Sequence, residues 1–228
     1  MRMALRAGRL AAAVAALAVT AGLASPQVGV HPLTGRRIAA TMSVDGADWL
    51  DRPERDLEED PDRALDVLKI AKGSTVADIG AGSGYMTVKL AKKVGAMGRV
   101  YANDIQPGML DLLNRRVLKA HLSNVLMVLG TPDDPKLPAD TLDLALMVDV
   151  YHEMSQPQAM LRRIHESLKA GGRLALVEYR KEDPDIPIKP EHKMSVAEAR
   201  TEVEAEGFHL ARTNEDLPRQ HVLIFARP

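Results

Sequence analysis

From residue 75 onward the chain alternates short, nearly continuous apolar runs with longer stretches whose apolar residues recur every three or four positions. The runs Thr75 to Ile79, Arg99 to Asn103, Val125 to Leu129, Leu142 to Val148 and Arg173 to Glu178 have the length of strands buried on both faces. Phe208 to Arg212 and Val222 to Phe225 follow, split by Asn214-Glu215-Asp216-Leu217-Pro218, and this pattern predicts an antiparallel hairpin at a sheet edge. Helical spacing covers Tyr85 to Val94, Pro107 to Ala120, Gln156 to Lys169 and Val196 to Glu206. An earlier helix has Asp60 as N-cap and Pro61 at its first position; it carries Ala64, Leu65, Val67, Leu68 and Ala71 on one face and stops before Gly73. Together these predict an α/β fold, a mostly parallel seven-stranded sheet with an antiparallel C-terminal hairpin and helices on both faces.

Ahead of this region the periodicity disappears. Residues 25–59 read as an extended N-terminal arm, rich in Pro, Gly and Arg up to Gly46 and then bearing the single tryptophan, Trp49. Arg2, Arg6 and Arg9 precede an Ala/Leu/Val run from Leu10 to Val19, and Ala21-Gly22-Leu23-Ala24 offers the small residues that a signal peptidase reads. Residues 1–24 are therefore expected to be a signal peptide cleaved after Ala24, with the mature protein exported, periplasmic or secreted. Without such a signal the location would be cytoplasmic. The run is too short and alanine-rich for a stable membrane span, and residues 60–228 form the expected globular domain.

Composition narrows the chemistry. Lys and Arg number 30 against 31 Asp and Glu, a net charge of -1, and aromatic residues make up only 3%. Neither a basic surplus nor stacking platforms are present, so nucleic acid is not the expected partner. With no cysteine, disulfides, thiolate metal sites and cysteine nucleophiles are excluded.

The first apolar run breaks into Asp78-Ile79-Gly80-Ala81-Gly82-Ser83-Gly84-Tyr85, where a buried strand turns sharply into a helix and exposes bare backbone to a ligand. About twenty residues on, the second run ends at Asp104, placed to accept the hydroxyls of a ribose. No Gly-x-Gly-x-x-Gly is present, so the spacing fits a nucleoside without phosphates rather than a dinucleotide.

With Leu142 to Asp149 and Leu168 to Val177, these motifs resemble the class I methyltransferases that use S-adenosylmethionine. The resemblance implies a Rossmann-like fold with S-adenosylmethionine as cofactor. It assigns cofactor contacts to Asp78, Gly80, Ala81, Gly82, Gly84, Tyr85, Asp104, Ile105 and Asp149, with Thr131 where the family often has an acid that binds the adenine amino group. Asp133 or Asp134 are the alternatives for that contact. Segments 46–55, 149–153 and 188–194 look like a group of exported bacterial methyltransferases of unsettled substrate. Export raises a supply question, because a zwitterionic sulfonium does not cross a bilayer unaided.

Substrate chemistry is expected after the fourth strand, where Asp149 to Met154 bunches two carboxylates, a phenol and an imidazole. His152 is the natural general base, with Glu153 orienting it and Tyr151 walling the methionine moiety on the substrate side of the site. Glu178 and the proline-stiffened loop carrying Lys189, His192 and Lys193 are expected on the same rim, where the positive set would suit an anionic or carboxylate-bearing substrate. The plainer alternatives are a loop that caps the helix after Gln156 and a solvated loop beyond Glu178. His152, Glu178 and His192 lack close ligand spacing, so no metal is expected. The expected activity is methyl transfer to an O or N atom of a small or medium acceptor. Its rivals are a non-catalytic S-adenosylmethionine-binding module, and methylation of a cell-envelope protein docked on the Trp49 arm. The oligomeric state is left open.

Overall fold

The protein is described here by a computed structural model covering residues 29–228. The expected signal segment, residues 1–24, lies outside the described residues. Strands β1 (Thr75–Ile79), β2 (Arg99–Asp104), β3 (Val125–Leu129), β4 (Leu142–Val148) and β5 (Leu168–Arg180) run parallel. Strand β6 is the two-residue Lys193–Met194, and β7 (His209–Asn214) with β8 (Gln220–Ala226) forms the closing hairpin. The sheet order is β3-β2-β1-β4-β5-β8-β7, with β8 antiparallel to β5 and β7. The seven expected strands are present. An unforeseen eighth, β6, pairs with Tyr179 and Arg180, starting two residues beyond Val177, where the β4 to β5 ladder ends.

Alternate residues along the central strands face opposite layers, which is why each strand is apolar throughout. Val76, Leu144, Leu146, Ala175 and Val177 pack with α3 (Pro61–Val67) and α4 (Tyr85–Val94). Ala77, Ala145, Met147, Leu174 and Leu176 pack on the other face with α6 (Pro157–Ser167) and α7 (Val196–Glu204). Helix α5 (Pro107–Lys119) buries Leu113 and Val117 beside Ala81 and Ala102. The caps follow the sequence chemistry: Asp60 accepts from the amide of Arg63, and Ser195 with Glu198 closes a reciprocal capping box on α7.

Three expectations need correction. The helix capped by Asp60 ends at Val67, so Ala71 lies beyond it and is exposed. The predicted Gln156 to Lys169 helix stops at Ser167, because Leu168 already pairs with Leu142 and β5 begins there. The arm is not extended to residue 59: a 3-10 turn at Val44–Gly46, α1 (Ala47–Leu50) and α2 (Arg55–Glu59) fold against the domain. An Arg55 to Glu59 ion pair at i,i+4 spacing supports the last of these. Further up the arm, buried Arg36 forks onto both carboxylate oxygens of Glu202 on α7, at 3.1 and 3.0 Å, and donates from Nη1 to the carbonyl of His152 at 3.0 Å. The arm is thus pinned across the rim where the parallel strands end. Among the described residues no helix is long and apolar enough to cross a membrane.

Candidate active site

A cavity of about 520 Å³ opens at the carboxyl ends of β1, β2 and β4, the position at which open α/β sheets bind ligands. One end is the turn after β1. Gly80, Gly82 and Gly84 have φ of 69°, 53° and 84°, a left-handed series that side chains resist. Space is short as well: a Cβ on Gly80 would stand 2.5 Å from Val150 Cγ1, and one on Gly84 2.8 Å from Leu113 Cγ. Asp104 lies opposite, nearly buried, its Oδ2 accepting from the Gly82 amide and its Oδ1 from the Gln106 amide, each at 2.9 Å. Burial raises its pKa above the usual aspartate value. Asp78 accepts from Thr87 Oγ1 at 2.6 Å, and burial pushes its carboxyl up to about 6. Ala81, Tyr85 and Ile105 line the same end.

The floor is more charged than the sequence pattern foretells. Buried Glu59 accepts from Arg52 at 2.5 Å, Arg55 at 2.7 Å and the Tyr179 hydroxyl at 2.7 Å. Beside them Asp149 has φ of 53°, an uncommon backbone state for a residue with a side chain. Its Oδ2 accepts from Gln220 at 2.7 Å, while its Oδ1, sealed from solvent, has no partner among the described residues. Burial, with Glu59 and Glu178 nearby, holds this carboxyl well above the ordinary range. An unpartnered buried oxygen is costly and invites a donor from a ligand.

At the remaining end His152, Glu153 and His192 converge. His152 is almost fully buried; its Nδ1 meets Glu178 Oε2 at 2.6 Å and its Nε2 meets His192 Nδ1 at 3.1 Å. Burial opposes the charged imidazolium, but the adjacent Glu178 carboxylate outweighs it, and the His152 pKa stands above the usual histidine value. Glu153 Oε1 is 3.9 Å from both His152 Nε2 and His192 Nδ1, and burial pushes Glu153 up to about 7. Burial and the neighbouring His152 hold His192 below its usual value.

Several sequence-based assignments change. Glu178, not Glu153, orients the imidazole: it is wholly buried and also accepts from the Tyr151 amide at 2.8 Å, so it does not border the cavity. Tyr151 is buried in the core under Arg36 instead of walling the site, because the 3-10 turn Tyr151–Glu153 aims it inward. Lys193 is buried too, its ammonium spent on the Asp183 carbonyl at 2.9 Å. Thr131 is exposed and off the cavity, its hydroxyl donating to Asp133 at 2.7 Å; Pro132 lines the cavity in its place, and Asp134 is engaged by Lys136. Lys189 and His192 do reach the cavity. Sequence reasoning gave no role to Arg52, Arg55, Glu59 or Gln220. The charge-dense Asp51 to Asp60 stretch was the available signal for the first three.

Fold and site together define an open α/β nucleoside-binding domain, with its ligand cradle formed by the first two strands. The sequence profile of a family described as "Methyltransferase domain" matches residues 76–172. A solved S-adenosylmethionine-dependent methyltransferase from Aquifex aeolicus is 29% identical with a TM-score of 0.78, covering 82% of this chain and 100% of that one. Aklanonic acid methyltransferase from Streptomyces sp. (strain C5) is 32% identical over 115 residues, 50% of this chain and 51% of the relative. The ubiquinone/menaquinone biosynthesis C-methyltransferase of Escherichia fergusonii is 28% identical over 118 residues, 51% of this chain and 47% of the relative. The chain spans about half the length of the curated relatives it matches. Residues 76–172 thus resemble a methyltransferase domain, with the fold of a protein that uses S-adenosylmethionine as cofactor. The residues fit that cofactor: Asp104 for the ribose, bare turn backbone beside it, and the orphaned Asp149 Oδ1 as an acceptor for an ammonium donor.

Proposed function

We propose that the protein transfers a methyl group to an O or N atom of a small or medium acceptor seated between His152, Glu153 and Lys189. The observation that carries this reading is the polarity of one continuous cavity, with the nucleoside cradle at one end and a buried, carboxylate-oriented imidazole at the other. S-adenosylmethionine, when bound, supplies a methyl group already activated on sulfonium. The protein's remaining tasks are to align the acceptor and remove its proton. His152 takes that proton at Nε2, while Glu178 holds Nδ1–H and stabilises the resulting imidazolium. Arg36, through the His152 carbonyl, keeps the turn from shifting. Lys189 at the cavity mouth favours an anionic or carboxylate-bearing acceptor.

A carbon acceptor is the second reading, favoured by a relative named as a C-methyltransferase; an acidic C–H would lose its proton to the same base. We also hold to export of the mature chain, which would require cofactor outside the cytosol. Purified protein incubated with methyl-labelled cofactor and envelope extracts, followed by mass spectrometry, tests these readings. A labelled small molecule supports the proposal, and the bond that carries the label separates O, N and C. A labelled protein would move the acceptor to the cell envelope. Cofactor binding with no label in any fraction would make the domain a binding module.

A further inference from the structure

The cluster at the acceptor end has a second property, which the sequence spacing conceals. His152 and His192 are 40 residues apart, and neither belongs to a short ligand motif. Folding brings His152 Nε2, His192 Nδ1 and Glu153 Oε1 within 4.8 Å of one another. The three atoms form a triangle with sides of 3.1, 3.9 and 3.9 Å. The circumradius of such a triangle is about 2.1 Å, the usual zinc to imidazole or carboxylate distance. A cation at that point would touch all three atoms with little adjustment of the protein.

Three further observations bear on the ligands. Glu178 accepts from His152 Nδ1 at 2.6 Å, which leaves the Nε2 lone pair directed into the cluster and forms the carboxylate–histidine support found behind metal-binding imidazoles. The two imidazoles are perpendicular, at 77° with centroids 5.1 Å apart, so they converge on a point by their nitrogens rather than stacking. Two imidazoles 3.1 Å apart need one shared proton between their facing nitrogens, and a cation can replace that proton without moving either ring. Charge also suits it: Glu153 faces the site and Glu178 stands behind His152, against Lys189 at the mouth. All three ligands border the cavity.

We propose that His152, Glu153 and His192 bind one divalent first-row transition cation of the zinc or iron class, at the acceptor end of the cavity and with its open positions toward the acceptor. Two imidazoles and one carboxylate select such ions over magnesium, which prefers oxygen ligands. A hydroxyl or carboxylate oxygen of the acceptor is the fitting further ligand. Only the placement at the acceptor end rests on the methyltransferase reading. In the loaded form the His152 lone pair is committed to the cation, so free-base action by His152 belongs to the cation-free form.

The test is equilibrium dialysis of the full chain, stripped with chelator, against Zn²⁺ in a competing buffer, with the visible spectrum of added Co²⁺ as a coordination signature. One saturable equivalent is expected, with no comparable uptake of Mg²⁺. Affinity should fall at least tenfold in His192→Ala and Glu153→Gln, and about 10–100-fold in Glu178→Gln through loss of second-layer support. His192 ends the 3-10 turn Pro190–His192 and is partly exposed, and circular dichroism of His192→Ala would verify that the fold is kept. Absence of a saturable equivalent, or equal binding by parent and His192→Ala, would overturn the site. Dialysis uses no methyl donor, so that result would leave the methyl-transfer reading standing; cation binding without any methyl transfer would overturn that reading alone.

Discussion

The amide of Gly82 donates to Asp104 Oδ2 at 2.9 Å, which ties the turn after β1 to the acid that ends β2. The carboxylate proposed to bind the ribose and the backbone cradle are therefore one unit, and a second amide, from Gln106, holds the other carboxylate oxygen. Asp104→Ala is expected to weaken S-adenosylmethionine binding by about 1–3 kcal/mol, because charge-assisted hydrogen bonds are lost in a partly dry pocket. Titration calorimetry measures this directly. An unchanged affinity would show that the carboxylate serves only the turn.

Gly80 is constrained twice, by its φ of 69° and by Val150 Cγ1 standing 2.5 Å from where a Cβ would be. Gly80→Ala should cost about 1–3 kcal/mol in stability, from crowding and left-handed strain together. Adding Val150→Ala removes the crowding but not the strain, so the double variant should recover only part of the loss in a denaturant melt. Full additivity of the two losses would disprove the contact.

Asp78 gives a pH prediction. Its carboxyl is pushed by burial from an ordinary 3.8 up to about 6. With the folded pKa above the unfolded one, the associated stability is fully present below about pH 4 and is lost as pH rises through about 6. Asp78→Asn lacks the charge, so its stability relative to the parent should improve between those pH values, by on the order of 3 kcal/mol at neutrality. Parallel thermal melts of cofactor-free protein at pH 4 and pH 7.5 would reveal it, and a constant offset between the two proteins would refute it.

The proposed base has a distinct kinetic signature. His152→Ala should lower the rate by roughly 10²–10⁴-fold with cofactor affinity nearly intact, since proton removal acts in the transition state. Glu178→Gln should reduce kcat with little change in the KM for cofactor, because Glu178 acts through His152 and does not border the cavity. Measurements in chelator keep the cation out of the comparison. Equal turnover by His152→Ala and parent, on a verified acceptor, would dismiss the base.

Export is tested apart from catalysis. Fractionation with N-terminal sequencing is expected to find the mature chain beginning at Ser25 outside the cytosol. Recovery of Met1 in the soluble cytosol would end that reading and the question of cofactor supply with it.

The sequence by itself determined what depends on local chemistry and period. The ranges Thr75–Ile79, Leu142–Val148 and Tyr85–Val94 coincide with observed elements, because a buried strand must be apolar on both faces and a helix on one; Val125–Leu129 coincides as well, although as the edge strand it leaves Leu126, Met127 and Leu129 exposed. Gly80 to Gly84 and Asp104 were legible because a left-handed turn needs glycine and the strand end fixes where the acid stands. Tertiary structure decided what depends on convergence across the chain. Which carboxylate orients His152 turned on a 3-10 turn that sends Tyr151 into the core and brings Glu178 within 2.6 Å. Likewise Arg52, Arg55 and Glu59 reach the cavity floor only because the arm folds back as helical turns, and His192 meets His152 only because β6 draws its loop alongside β5. Period and propensity report on which face of an element is buried; they carry no information on which side chains, tens of residues apart, will share a point in space.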